Sequence, residues 1–165
     1  MRPILFLLTW AALGPCAPAW AEGLTGRPLT FHIETYDDPA VPLYESRVHD
    51  AVVGEGPELG LIEEGRYAGF DLIPVIVDVS AARVTLDYST AEPGELYKAR
   101  FNGYVLDFGP GCPRIARARL DPDATTLPID NKRLRVSDGV LRIDVSGMRY
   151  DRDSRVAVDL ELADC

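Results

Sequence analysis

The sequence predicts an all-β fold, an antiparallel β-sandwich of the broad kind that includes jelly rolls, and three observations lead there. Apolar residues recur at every second position in one segment after another. Clusters of Gly, Pro, Asn and Asp cut those segments short, and no stretch sustains a helical period over three turns. The first strand is the plainest: Leu29, Phe31 and Ile33 fall on one face, Thr30, His32 and Glu34 on the other, and Asp37-Asp38-Pro39 ends it.

The remaining strands follow from the same period. Val75, Val77 and Val79, then Val84, Leu86 and Tyr88, make two runs joined by Ser80-Ala81-Ala82, which reads as a hairpin; Pro74 marks its start, because proline cannot donate to a central ladder. Asn102-Gly103 has the chemistry of a two-residue type I′ turn, which needs positive φ at both positions. That turn would set Phe101 opposite Tyr104, Ala99 opposite Leu106 and Tyr97 opposite Phe108; a continuous strand with a glycine bulge is the competing reading. Asp138-Gly139 repeats the turn signal, pairing Val136 with Leu141 and Leu134 with Ile143. The last strand runs from Arg155 to Ala163, with Val156, Val158, Leu160 and Leu162 on one face. Glu92 to Lys98 has room for at most one turn of helix, and Pro93-Gly94 oppose more.

Residues 1–21 have the build of an export signal: a basic start at Arg2, an apolar run from Ile4 to Leu13, and the small-residue box Ala19-Trp20-Ala21. The apolar run is too short to cross a bilayer, which takes about 20 residues, and Pro15 before Cys16 argues against lipid attachment. Residues 22–165 are expected to form a single domain in the periplasm or outside the cell, with no transmembrane segment in that mature portion. That portion has 26 acidic residues against 16 basic ones, a balance that excludes nucleic acid as a partner. The charge is uneven. Residues 22–97 hold fifteen acids and four bases, whereas residues 98–165 hold eleven and twelve, with Arg114, Arg117, Arg119, Lys132, Arg133 and Arg135 grouped together. Such a division predicts an acidic face and a mixed or basic one.

Cys112 and Cys165 are the two cysteines left after export, and an even pair in an oxidising compartment reads as one disulfide tying the chain end to the domain. By chain entropy a loop of that length contributes on the order of 4 kcal/mol. A reactive thiol is the alternative, but Pro113 follows Cys112 and no histidine stands near it in sequence.

The search for chemistry is largely negative, for G-x-S-x-G, H-E-x-x-H and C-x-x-C are all missing from the chain. His32 and Glu34, two residues apart on one strand face, would form a metal site of the two-histidine, one-carboxylate type if His49 joined them. Asp121-Pro122-Asp123 and Asp151-Arg152-Asp153 offer hard oxygen ligands for calcium, or cap turns. No cofactor is expected, calcium or zinc being the candidates if one binds. Tyr36, Tyr44, Tyr67 and Tyr150 are the aromatic residues available for stacking on a sugar.

Val53-Gly54-Glu55-Gly56-Pro57-Glu58, Val77-Asp78-Val79-Ser80, and Phe101-Asn102-Gly103-Tyr104-Val105 fall in order along the chain, followed by Leu141 to Gly147. In this the chain resembles a group of exported bacterial β-sandwich domains, many without an assigned function. The resemblance implies the fold and export, and it brings no catalytic residues. The resulting expectation is a non-catalytic interaction module of the bacterial envelope with an envelope protein as partner. The alternatives are a metal-dependent or carboxylate-based hydrolase, or a carbohydrate-binding domain, acting on envelope material.

Overall fold

The computed structural model describes residues 23–59, 65–67 and 70–164; the expected export signal and Cys165 lie outside them. Among the described residues fourteen strands follow one another. The first eight are β1 (Pro28–Tyr36), β2 (Tyr44–Glu45), β3 (His49–Val52), β4 (Gly65–Tyr67), β5 (Phe70–Leu72), β6 (Ile76–Val79), β7 (Arg83–Asp87) and β8 (Gly94–Glu95). They are followed by β9 (Phe101–Asp107), β10 (Arg114–Leu120), β11 (Leu134–Ser137), β12 (Val140–Asp144), β13 (Arg149–Tyr150) and β14 (Arg155–Ala163). Among the described residues the only helical turn is a 3-10 turn at Asn131–Arg133, capped by the Asp130 carboxylate, which accepts from the Lys132 N–H at 2.8 Å.

The pairing is antiparallel throughout, and two sheets dominate. One runs β11-β12-β9-β1-β2, with β3 also on β1; the other runs β10-β14-β7-β6. Their apolar rows close on one core. Phe31 lies opposite Leu106, which lies opposite Leu141 and then Val136, while Ile33, Tyr104, Ile143 and Leu134 form the next row. From the second sheet Val77, Leu86, Val156 and Val158, all fully buried, join the same cluster. Two apolar faces sharing one core is how a sandwich removes its hydrophobic surface from water.

Most of the predicted elements form where the alternation puts them. The strand from Leu29, the hairpin β6–β7 and the last strand are present, and Asp138 and Gly139 take positive φ (53° and 84°) to pair Val136 with Leu141 and Leu134 with Ile143. Asn102-Gly103 corrects the expectation of a turn. β9 runs straight through it, with Gly103 opposite Glu34 on one side and Asp144 on the other. Two things hold the pair in a strand. Asn102 is buried, accepting from Thr35 Oγ1 (2.8 Å) and donating through Nδ2 to the Tyr97 carbonyl (2.7 Å). At Gly103 the β12 backbone comes so near that a Cβ would lie 1.9 Å from the Ile143 carbonyl oxygen. The Glu92 to Lys98 stretch contains β8 and no helix.

Arg27 organises the far end. Its guanidinium donates to the carbonyls of Phe108 (2.9 Å), Gly109 (3.0 Å), Gly111 (2.7 Å) and Pro113, and so gathers the loop between β9 and β10. Cys112 lies in that loop and is joined to Pro113 by a cis peptide bond.

Candidate interaction surface

His32 and Glu34 project from the outer face of β1, where the imidazole Nε2 stands 3.0 Å from Glu34 Oε1. His49 does not join them. β3 pairs His49 with Phe31, and the two rings, 6.5 Å apart, share the opposite face of the sheet. Glu45 arrives in its place: it lies across from Glu34 in the ladder, and one donor atom from each of His32, Glu34 and Glu45 falls within 4.8 Å of the others. The set has the right ligand types for a divalent ion, but its surroundings do not suit one. Arg142 is 3.9 Å from Glu34 Oε2 and already supplies positive charge. His32 Nδ1 is buried without a hydrogen-bond partner, where a metal-binding histidine needs its second nitrogen held by an acceptor. The cluster therefore fits a hydrogen-bonded charge ladder across the sheet better than a metal centre.

The acidic loops serve as turns. Asp121 Oδ1 accepts from the N–H groups of Asp123 (2.9 Å) and Ala124 (3.3 Å), and its Oδ2 takes the Arg83 guanidinium at 2.6 Å. Backbone donation from Asp123, then from Ala124 and Arg83, holds the Asp121 carboxyl below the usual carboxylate range. Asp151 does the same on its own turn, accepting from the Asp153 N–H (3.0 Å) and the Ser154 hydroxyl (2.8 Å). The Asp123 and Asp153 side chains are exposed at these loops. Of the aromatic candidates, Tyr44 is buried, Tyr36 stacks on Phe101 at 5.2 Å, and Tyr150 packs against Tyr88 at 5.4 Å. The Tyr67 side chain lies outside the described residues.

The charge division of the sequence becomes a direction across the sheets. At one edge of the larger sheet the exposed Glu45 and Asp50 stand on β2 and β3; at the other stands Arg135 on β11. Three arginines on the outer face of the smaller sheet are paired: Arg83 meets Asp159 (2.7 Å), Arg155 meets Asp87 (2.6 Å) and Arg119 meets Glu161 (3.5 Å). The Arg83 guanidinium is held charged first by its hydrogen bond to Asp159. Arg114 and Arg117 of β10 make no ion pair among the described residues.

β10 and β11 are the outermost strands of the two sheets and lie side by side, so one flank of the domain shows two sheet edges. Between them is a cleft of about 480 Å³, floored by Ala116, Ala118, Leu134 and Val136 and rimmed by Arg117 and Arg119. A hydrogen bond from the Leu120 N–H to Asn131 Oδ1 (2.8 Å) ties the two edges together at one end. The small floor residues follow from the β10 sequence: its register shifts between Ile115 and Arg117, after which the arginines point out and Ala118 points in. Sequence reasoning located the arginine group but not the cleft, because nothing local says that β10 and β11 end different sheets.

No family model matches the chain, no curated protein matches it, and no solved structure matches it.

Proposed function

We propose that the chain is an exported, non-catalytic interaction module of the bacterial envelope, and that its working surface is the cleft between β10 and β11. The occupant is an extended acidic segment of an envelope protein. One observation carries this reading: an open sheet edge, a floor of small and apolar side chains and a rim of arginines coincide in one groove. An added strand would satisfy the unpaired backbone of the β10 edge, place alternate apolar side chains on Ala118, Leu134 and Val136, and set its carboxylates against Arg117, which has no ion pair among the described residues, and Arg119, which it would share with Glu161. Of the candidate ligand carboxylates, Asp121 and Asp151 are engaged on turns and Glu34 on His32 and Arg142.

A Cys112–Cys165 disulfide belongs to the same proposal. Cys112 lies two residues before β10 and Cys165 two residues after the end of β14 in sequence, and those two strands pair. The bridge would fasten the start of β10 to the end of β14 and so restrain the edge strand.

Titration with a short peptide alternating Glu and Val tests the function. Saturable binding is expected, weakening as salt shortens the Debye length from about 30 Å at 0.01 M to about 8 Å at 0.15 M. Arg117→Glu with Arg119→Glu should remove it. A peptide that binds the charge-reversed variant as well as the original would overturn the proposal.

A further inference from the structure

Strand alternation gives β11 a second use. Leu134 and Val136 face the cleft, so Arg133 and Arg135 project to the other side, over the outer face of the larger sheet. There they meet Lys132 from the 3-10 turn, Arg100 from the segment before β9, and the stacked pair Tyr36–Phe101. These residues and Asp144 line a hollow of about 40 Å³. Four cationic side chains thus surround one carboxylate. Arg133 is committed, lying 3.3 Å from Asp144 Oδ2 and donating to the Ser146 carbonyl at 3.1 Å. Lys132, Arg135 and Arg100 are exposed and make no ion pair among the described residues. Asp37 is the next carboxylate, and its Oδ1 is taken by the Arg100 backbone N–H at 2.9 Å.

We infer that this hollow is an oxyanion site, taking the phosphate, sulfate or carboxylate headgroup of a larger ligand. Three observations support it together. On the outer face of the smaller sheet Arg83, Arg155 and Arg119 each meet a carboxylate, whereas here three cations, Lys132, Arg135 and Arg100, line one hollow with no ion pair among the described residues. The frame that carries the cations is held in place: Asp130 caps the turn bearing Lys132, Asp144 and the Ser146 carbonyl hold Arg133, and Phe101 is buried beneath Tyr36. The hollow has room for one headgroup but not for a sugar ring, which would extend over the half-buried Tyr36. Charge-assisted donors drawn from a turn, from β11 and from the segment before β9 are how an exposed anion is held in water. The inference stands whether or not the cleft takes a peptide, for the two sites lie on opposite sides of β11.

The test is a titration followed by backbone amide shifts, using inorganic phosphate, sulfate and acetate in turn, each against sodium chloride at equal ionic strength. At least one oxyanion should give saturable shifts centred on Phe101, Lys132 to Arg135 and Asp144, and the one that binds tells a phosphate or sulfate ester from a carboxylate. Lys132→Ala and Arg135→Ala should each weaken it about tenfold. Arg149→Ala removes the same charge from a different surface and should leave it unchanged, while all variants keep the unperturbed amide spectrum elsewhere. Shifts that never saturate with any of the three anions, or that persist in the Lys132→Ala, Arg135→Ala double variant, would overturn the inference.

Discussion

Gly103→Ala puts the central strand to the test. The added Cβ would stand 1.9 Å from the Ile143 carbonyl oxygen and 2.9 Å from its carbon, whereas ordinary contact begins at 3.4 Å. β9 and β12 must therefore separate by about 1.5 Å at that point. Neither strand has room to retreat, since Ile143 is fully buried and β12 is held between β9 and β11. Two ladder hydrogen bonds would be stretched out of range at about 1 kcal/mol each, and the strain of overpacking adds about 1–3 kcal/mol. The expected loss is about 3–5 kcal/mol, which at about 2 kcal/mol per molar urea lowers the unfolding midpoint by about 2 M. Gly54→Ala is the control, because its Cβ would meet nothing nearer than 3.7 Å and it should stay within about 0.5 kcal/mol. Were Asn102-Gly103 a hairpin turn, Gly103→Ala would cost only the strain of positive φ, about 1 kcal/mol. A loss of that size would refute the continuous strand.

Asn102→Ala strands the buried Thr35 hydroxyl and the Tyr97 carbonyl, and should lower stability by about 2–3 kcal/mol in the same urea assay. Arg27→Ala releases four carbonyls of the 108–113 loop; a loss of at least about 2 kcal/mol and faster amide exchange confined to that loop are expected. The Asp87 carboxyl is raised by burial, but donation from Ser89 and the Arg155 charge outweigh this, so it lies below its ordinary value, as Asp121 does. A depressed folded value means stability that is complete above about pH 4 and is lost as pH falls through the folded pKa. Asp121→Asn should therefore flatten the acid limb of a stability–pH curve measured by thermal unfolding. The Tyr88 and Tyr104 phenols share a 2.9 Å hydrogen bond, and burial pushes both pKa values up. In an ultraviolet alkaline titration, Tyr88→Phe should subtract from the step that accompanies unfolding and leave the earlier one intact.

The parts of the fold that could be read from the chain are those in which periodicity and turn chemistry are local and agree. β1, the β6–β7 hairpin, the Asp138-Gly139 turn and β14 are of that kind. Asn102-Gly103 has the same local chemistry as Asp138-Gly139, and what separates them is distant. Asn102, Tyr104, Leu106 and Phe108 continue one inward face, and the Asn102 amide finds partners in Thr35 and Tyr97. Arg27 gave no signal at all, being a lone base in an acidic stretch whose partners lie 81 to 86 residues away. His32 and Glu34 were legible as neighbours on one strand. Glu45, and the exclusion of His49, depend on how β2 and β3 register against β1, which the irregular segment between them does not disclose. The arginine group was visible in composition, but its division into a cleft rim and an oxyanion hollow needed the pleat of β11 and the order of strands in two sheets.

The central claim is that the β10 edge receives an acidic strand, and amide hydrogen exchange along Arg114–Leu120 tests it most directly. With the Glu/Val peptide present, the outward N–H groups of β10 should become protected, and Arg117→Glu with Arg119→Glu should abolish that protection. Peptide that binds while β10 exchanges unchanged, or no binding at any ionic strength, would contradict the account.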